Sequence, residues 1–175
     1  MSNGIQANET AIYIVDADVN ASALKATDKI KGEIENWSIS GGAQEVESVP
    51  TFGDGTTTAF LDKEKPREQF EVSFDVYVNN ASTTSLDRWD KYKYGAGLTS
   101  ATEGTAKAIF IESKSGSLYK STGMNNCRAV TWEPSQSADD FLKGTITFKF
   151  SPTTSSSAAN LMTSAVEVVS LPDWS

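Results

Sequence analysis

Residues 67–79 read REQFEVSFDVYVN. Phe70, Val72, Phe74, Val76 and Val78 share one parity, and Glu71, Ser73, Asp75 and Tyr77 share the other. Strict alternation with a period of two is the mark of an extended strand with one apolar face buried and one polar face wet. Such a strand belongs to an antiparallel sheet. The pattern recurs at residues 141–151, FLKGTITFKFS, with Ile146, Phe148 and Phe150 on one face. Shorter β-rich runs lie at 11–17 (AIYIVDA), 107–112 (KAIFIE), 118–122, 127–133 (CRAVTWE) and 165–171 (AVEVVSL), separated by turn signals such as Lys114-Ser115-Gly116-Ser117.

Working back toward the N-terminus, Ile34, Trp37 and Ile39 mark another strand that ends at Gly41-Gly42. Its odd Ile34-to-Trp37 spacing calls for a β-bulge or an entry loop before Trp37. Val46 and Val49 suggest a second arm, with the glycine pair as a tight turn or as a bend in one long strand. Residues 50–66 hold Gly53, Gly55 and a threonine run and read as a long inter-strand loop, which is uncommon in a compact domain unless it has a function. Phe52, Phe60 and Leu61 give that loop something to bury. After the alternating strand, Thr84 or Ser85 caps a short helix with Leu86, Trp89 and Tyr92 facing the sheet and Gly95 stopping it. Strands broken by turns and interrupted by one helix predict a mainly β fold, a β-sandwich or barrel with one flanking α-helix, over a single domain 1–175. Residues 152–175 form a Ser/Thr-rich C-terminal extension, and 18–32 read as a loop.

Composition narrows the chemistry. Lys and Arg number 15 against 23 Asp and Glu, a formal charge of −8. That balance disfavours binding nucleic acid by phosphate neutralisation. No histidine is present, which removes the commonest general base and transition-metal ligand. The lone Cys127 reads as a buried thiol. The N-terminus has neither a basic n-region nor an apolar h-region, and no run approaches ~20 apolar residues, so the reading is a chain folded in a cytoplasm.

No motif carries catalysis. Glu64, Glu68, Glu71 and Asp75 lie close in sequence, as a paired-carboxylate hydrolase would need, but they read as a solvated sheet face beside Lys65 and Arg67. Asp16-Ala17-Asp18 and Asp54-Gly55 lack the continuation of a calcium loop. Gly53-Asp54-Gly55 lacks the Lys-Ser/Thr pair of a phosphate cradle. No cofactor or metal is expected. Trp37, Trp89 and Trp132 read as core, although with Trp174 they also leave open a sugar-stacking platform on a carbohydrate-binding module.

From Gly32 to Gly95 the order becomes specific: GEIENWSISGGAQEVESVPTFGDG, a polar loop, KEKPREQFEVSFDVYVN, then LDRWDKYKYG. This order resembles the major tail tube proteins of long-tailed, siphovirus-like bacteriophages. The resemblance implies a structural virion protein without enzymatic activity. Six copies would join sheet edges into a hexameric ring with a continuous inner barrel. Stacked rings would form the tail tube, assembled in the host cytoplasm, through which DNA is ejected without specific binding. Partners would be further copies and the tape measure, terminator and baseplate or tip proteins, with no membrane. Within this resemblance Glu45, Glu47, Glu71 and Asp75 are candidates to line the lumen. Phe52, Phe60, Leu61, Lys63 and Lys65 are candidates for contacts between subunits or rings. A tail terminator, a type VI secretion tube subunit and a carbohydrate-binding module stand as alternatives.

Overall fold

The computed structural model describes residues 10–17, 24–30, 32–43, 45–51, 59–64, 68–78, 83–95, 102–115, 118–150 and 163–167. Their strands are β1 (Thr10–Asp16), β2 (Ile34–Ser40), β3 (Val46–Thr51), β4 (Ala59–Glu64), β5 (Phe70–Tyr77), β6 (Lys107–Ser115), β7 (Leu118–Ser135), β8 (Lys143–Phe150) and β9 (Thr163–Glu167). Helix α1 spans Thr83–Tyr94. A curled antiparallel sheet, a half-barrel, runs β1-β6-β7-β8-β5-β2, and β9 also pairs with β7. β3 and β4 form a separate two-stranded ribbon.

The alternation that identified β5 and β8 sets their register. Phe70 lies opposite Phe150, Val72 opposite Phe148 and Phe74 opposite Ile146, so the apolar faces of both strands coincide. Cross-strand aromatic pairs add specificity: Phe70 and Phe150 stack at 5.5 Å, and Phe74 meets Phe148 edge to face at 6.2 Å. Trp89 of α1 is fully buried against this face. The helix ends at Gly95, whose N–H bonds the Lys91 carbonyl at 3.0 Å. It begins at Thr83, so Thr84 and Ser85 lie in its first turn and are not its cap.

Residues 11–17 do not alternate because β1 is buried on both faces. Ile12 and Ile14 join the main core, while Ala11 and Tyr13 pack with Leu24 in a second small cluster. The segment 24–30 also caps the free edge of β1: Ile30 N–H donates to the Ile12 carbonyl at 2.9 Å, and Lys29 bridges Tyr13.

Four sequence expectations change. The bulge before Trp37 is present between Ile34 and Asn36, but Gly41-Gly42 is no hairpin turn, since β2 pairs with β5 and not with β3. The 50–66 loop contains β4, which pairs with β3 from Val46↔Glu64 to Thr51↔Ala59. Its sequence hid it, because three apolar residues followed by three charged ones show no period of two. Residues 118–122 and 127–133 are one strand. What read as a break, Gly123 to Asn126, stays paired with β6 through Met124, and Asn125-Asn126 form a bulge with Asn126 at φ 57, a conformation Asn tolerates. The last strand begins at Thr163, ahead of residue 165, and pairs with Tyr119–Gly123.

Gly144 interrupts the apolar face of β8 for a steric reason. A Cβ there would stand 2.5 Å from two atoms of the Trp132 indole, which lies over that position. Gly144→Ala is expected to lower unfolding free energy by about 1–3 kcal/mol through overpacking, measured by urea denaturation. A neutral result would mean that Trp132 does not occupy this space.

Candidate assembly interface

β7 changes partner partway along its length. Residues up to Cys127 pair with β6, and Arg128–Ser135 pair with β8. The strands β2-β5-β8 and the second half of β7 therefore form a four-stranded antiparallel sheet. One face packs on α1 and the core. Residues directly opposite one another share a face, so the other face carries Asn36, Ser38 and Ser40 on β2, with Glu71, Ser73, Asp75 and Tyr77 on β5. It continues with Lys143, Thr145, Thr147 and Lys149 on β8, and with Arg128, Thr131, Glu133 and Ser135 on β7.

This face is a cross-strand polar network. Glu71 accepts an ion pair from Lys149 at 2.8 Å. Ser73 and Thr147 hydroxyls are 2.9 Å apart. Asp75 accepts from Thr145 Oγ1 at 2.7 Å and from Asn36 Nδ2 at 3.4 Å. Glu133 lies on the other side of Thr145 in the same row. Lys143 bonds Asp140 at 2.8 Å and sits 5.0 Å over the Tyr77 ring. Three carboxylates (Glu71, Asp75, Glu133) face three cations (Arg128, Lys143, Lys149), so the net −8 is not carried here. Arg128, Glu133 and Lys149 were missed from the sequence: alternation places Glu133 with Thr131 and Lys149 with Thr147, whereas Arg128 joins this face only through the register shift between Ala129 and Thr131.

Of the residues singled out for the lumen, the fold brings Glu71 and Asp75 together on this face. Glu45 and Glu47 sit apart, exposed, at the root of the ribbon. Phe60, Leu61 and Lys63 belong to β4; Phe52, Lys65 and Trp174 lie outside the described residues. The ribbon leaves the sheet at its Ser40/Phe70 end, where Glu68 N–H donates to the Ala43 carbonyl at 3.0 Å.

Two strands of the four-stranded sheet have a free edge among the described residues: β2, and β7 from Arg128 to Ser135. β2 is mostly exposed, and Trp37, on the core-facing side opposite Phe74, remains 38% exposed. An uncovered edge is a template for another strand. The edge of β1, by contrast, is covered by residues 24–30.

Other chemistries find little here. Trp89 and Trp132 are buried, so they form no sugar platform. Glu71 and Asp75 are separated by about 13 Å of strand, beyond the ~5–9.5 Å of paired catalytic carboxylates. Burial raises the Cys127 thiol to about 12 and the Tyr92 phenol to about 12, which makes both inert near neutrality. Among the described residues no cluster of His, Cys, Asp and Glu could hold a metal ion, and no helix is long and apolar enough to cross a membrane.

No protein-family model and no curated protein matches the sequence. Solved structures do match. A chain in the structure of the sheath/tube terminator of an extracellular contractile injection system superposes with a TM-score of 0.52 at 16% identity, covering 85% of this chain and 93% of that one. A chain in the structure of the anti-feeding prophage cap, a tube terminating cap, superposes with a TM-score of 0.54 at 12% identity, covering 95% of this chain and 94% of that one. The curled sheet with its flanking helix is therefore a fold shared with chains of tail-like injection assemblies.

Proposed function

We propose that this chain is a structural subunit of a tail-like tube, built by pairing the free edge of β2 with the free edge of β7 in the next copy. The observation that carries this is the pair of open edges on one four-stranded sheet. Its strands alternate in direction, so β2 and the second half of β7 run opposite ways. A β2–β7 junction between copies is thus antiparallel like every junction within a copy, and repetition by rotation closes a ring without a seam. Closure removes every edge of this sheet. Six copies contributing four strands each would give a barrel of twenty-four, wide enough for a channel.

The polar face then lines the channel. Glu71 and Asp75 are there, interleaved with Lys149, Arg128 and Glu133, and the hydroxyls of Ser73, Thr145 and Thr147 fill the rows between. In the finer reading this is the major tail tube protein of a long-tailed phage: DNA passes through the lumen, the particle tail is its location, and tape measure, terminator and baseplate proteins are its partners. Phe52, Phe60, Leu61, Lys63 and Lys65, in and around the ribbon, are the contacts between rings. A second reading is favoured by what the two structural matches are called: a subunit that ends a tube, and so forms rings that do not stack.

The test is negative-stain electron microscopy with light scattering over rising protein concentration. Stacked tubes support the tube subunit, single rings the terminator, and a monomer at every concentration ends both readings. Ser38→Lys/Ser40→Lys places two gatekeeper charges on the exposed β2 edge. It is expected to abolish ring formation while changing stability by no more than about 0.5 kcal/mol. Assembly at the wild-type concentration would remove β2 from the interface.

A further inference from the structure

Three consecutive residues of α1 reach both strands that carry the open edges. Trp89 Nε1–H donates to Glu33 Oε2 at 3.0 Å, and Arg88 Nη1 lies 3.5 Å from the same oxygen. Glu33 is buried and immediately precedes β2, and its carbonyl accepts the Tyr77 N–H at 2.7 Å. On the other side, Asp90 Oδ1 accepts Trp132 Nε1–H at 2.6 Å, and Trp132 sits in the middle of the free half of β7. The Trp89 and Trp132 rings stack at 6.3 Å, and Tyr92 packs edge-on against Trp89 and Phe148. β2 and β7 are three strand intervals apart, roughly 14 Å.

We infer that Arg88-Trp89-Asp90 is a brace that couples the two edges of the sheet, and so sets the angle at which successive copies join. The ring-closing role rests on the reading of β2 and β7 as the assembly edges; the coupling itself does not. A twisted four-stranded sheet has a soft curvature. Bonds to charged acceptors, here one buried at Glu33 and one half-buried at Asp90, are the strongest available to fix it. Among the described residues β2 pairs with β5 only, and the Glu33 carboxylate at its root ties that edge to the helix. Asp90, Trp132 and Glu33 are positioning residues: their side chains act on the edge strands from the core side.

The experiment follows amide hydrogen exchange, resolved by segment, in the unassembled protein, and ring symmetry by electron microscopy in the assembled one. Asp90→Ala should speed exchange about ten-fold in Arg128–Ser135 and also in Ile34–Ser40, which Asp90 does not touch. β1 and β6 should keep wild-type exchange. Asp90→Asn, which keeps an acceptor for Trp132, should restore both segments. Where Asp90→Ala does not fold, Trp132→Phe removes the same bond while keeping a ring over Gly144. Rings of the variant should be open arcs or of mixed copy number. Faster exchange confined to the β7 segment, or an equal rise in every strand, would overturn the coupling, and variant rings of unchanged symmetry would overturn its ring-closing role. If the wild type forms no rings, the assembly reading fails while the exchange pattern still decides the brace.

Discussion

Trp89→Ala is expected to cost about 4 kcal/mol of unfolding free energy, the range for emptying a large buried aromatic site. Trp89 is fully buried between the sheet and the rest of α1, stacked on Trp132 and met edge-on by Tyr92. Its removal leaves a void that a rigid sheet cannot close. It also takes away the N–H that satisfies the buried Glu33 carboxylate, leaving the Arg88 contact at 3.5 Å. In a chain of this size the loss corresponds to a fall in Tm of roughly 8–16 °C. Trp89→Phe separates the two effects: it keeps most of the ring volume and loses the bond, with an expected cost of about 1–3 kcal/mol. Calorimetry on the three proteins decides. A loss under about 1 kcal/mol for Trp89→Ala would mean that α1 is not seated on the sheet as described.

Gly41→Ala is expected to cost about 3 kcal/mol, from a left-handed backbone and a steric overlap acting together. Gly41 has φ 90, and a Cβ there would fall on the carbonyl oxygen of Gln69. Neither Gln69 nor the Phe70 Cα, which that Cβ would also meet at 3.1 Å, can yield, because both contacts are backbone at the point where β2 ends and β5 begins. The substitution should therefore push the two strand ends apart and break the Glu68-to-Ala43 hydrogen bond that closes the root of the β3–β4 ribbon. Denaturation measures the stability loss, and exchange of the Glu68 amide reports the root directly. Under the tube reading, rings should still close, since the disturbance is at the Ser40 end of β2 and the rest of that strand stays paired with β5, while stacking is impaired if the ribbon bridges rings. A variant with wild-type stability and an unchanged Glu68 amide would show that this crossing is looser than the fold requires.

Much of this architecture was legible before any coordinates. The alternation at residues 67–79 and 141–151 specified two strands and their buried faces; that the two lie side by side came from the fold. The odd spacing from Ile34 to Trp37 called for a bulge or an entry loop, and the fold has the bulge. The run Leu86 to Gly95 announced a helix that docks by Trp89. These signals are local: each follows from the period of a single element, which the chain carries in itself. The same locality explains what stayed hidden. Ala59–Glu64 runs three apolar residues into three charged ones without alternating, so β4 read as loop. Gly123 to Asn126 looked like a break, because nothing in four residues distinguishes a bulge within a strand from a turn between two.

The assembly surface shows the boundary most clearly. Residue types alone placed Glu71 and Asp75 on a polar strand face, and the absence of histidine and of nucleophile–base pairs directed attention away from catalysis. The tertiary structure decided which charges share that face. It set Lys149, Arg128 and Glu133 beside the two acids and moved Glu45 and Glu47 to the ribbon. It also decided which strand edges stay open. β1 and β2 both read as strands, and one is covered while the other is free only because residues 24–30 fold back on Ile12 and Tyr13. Edge exposure and face charge are properties of which strands lie side by side. That is set by contacts between segments far apart in the chain, and no periodicity within one segment can encode it.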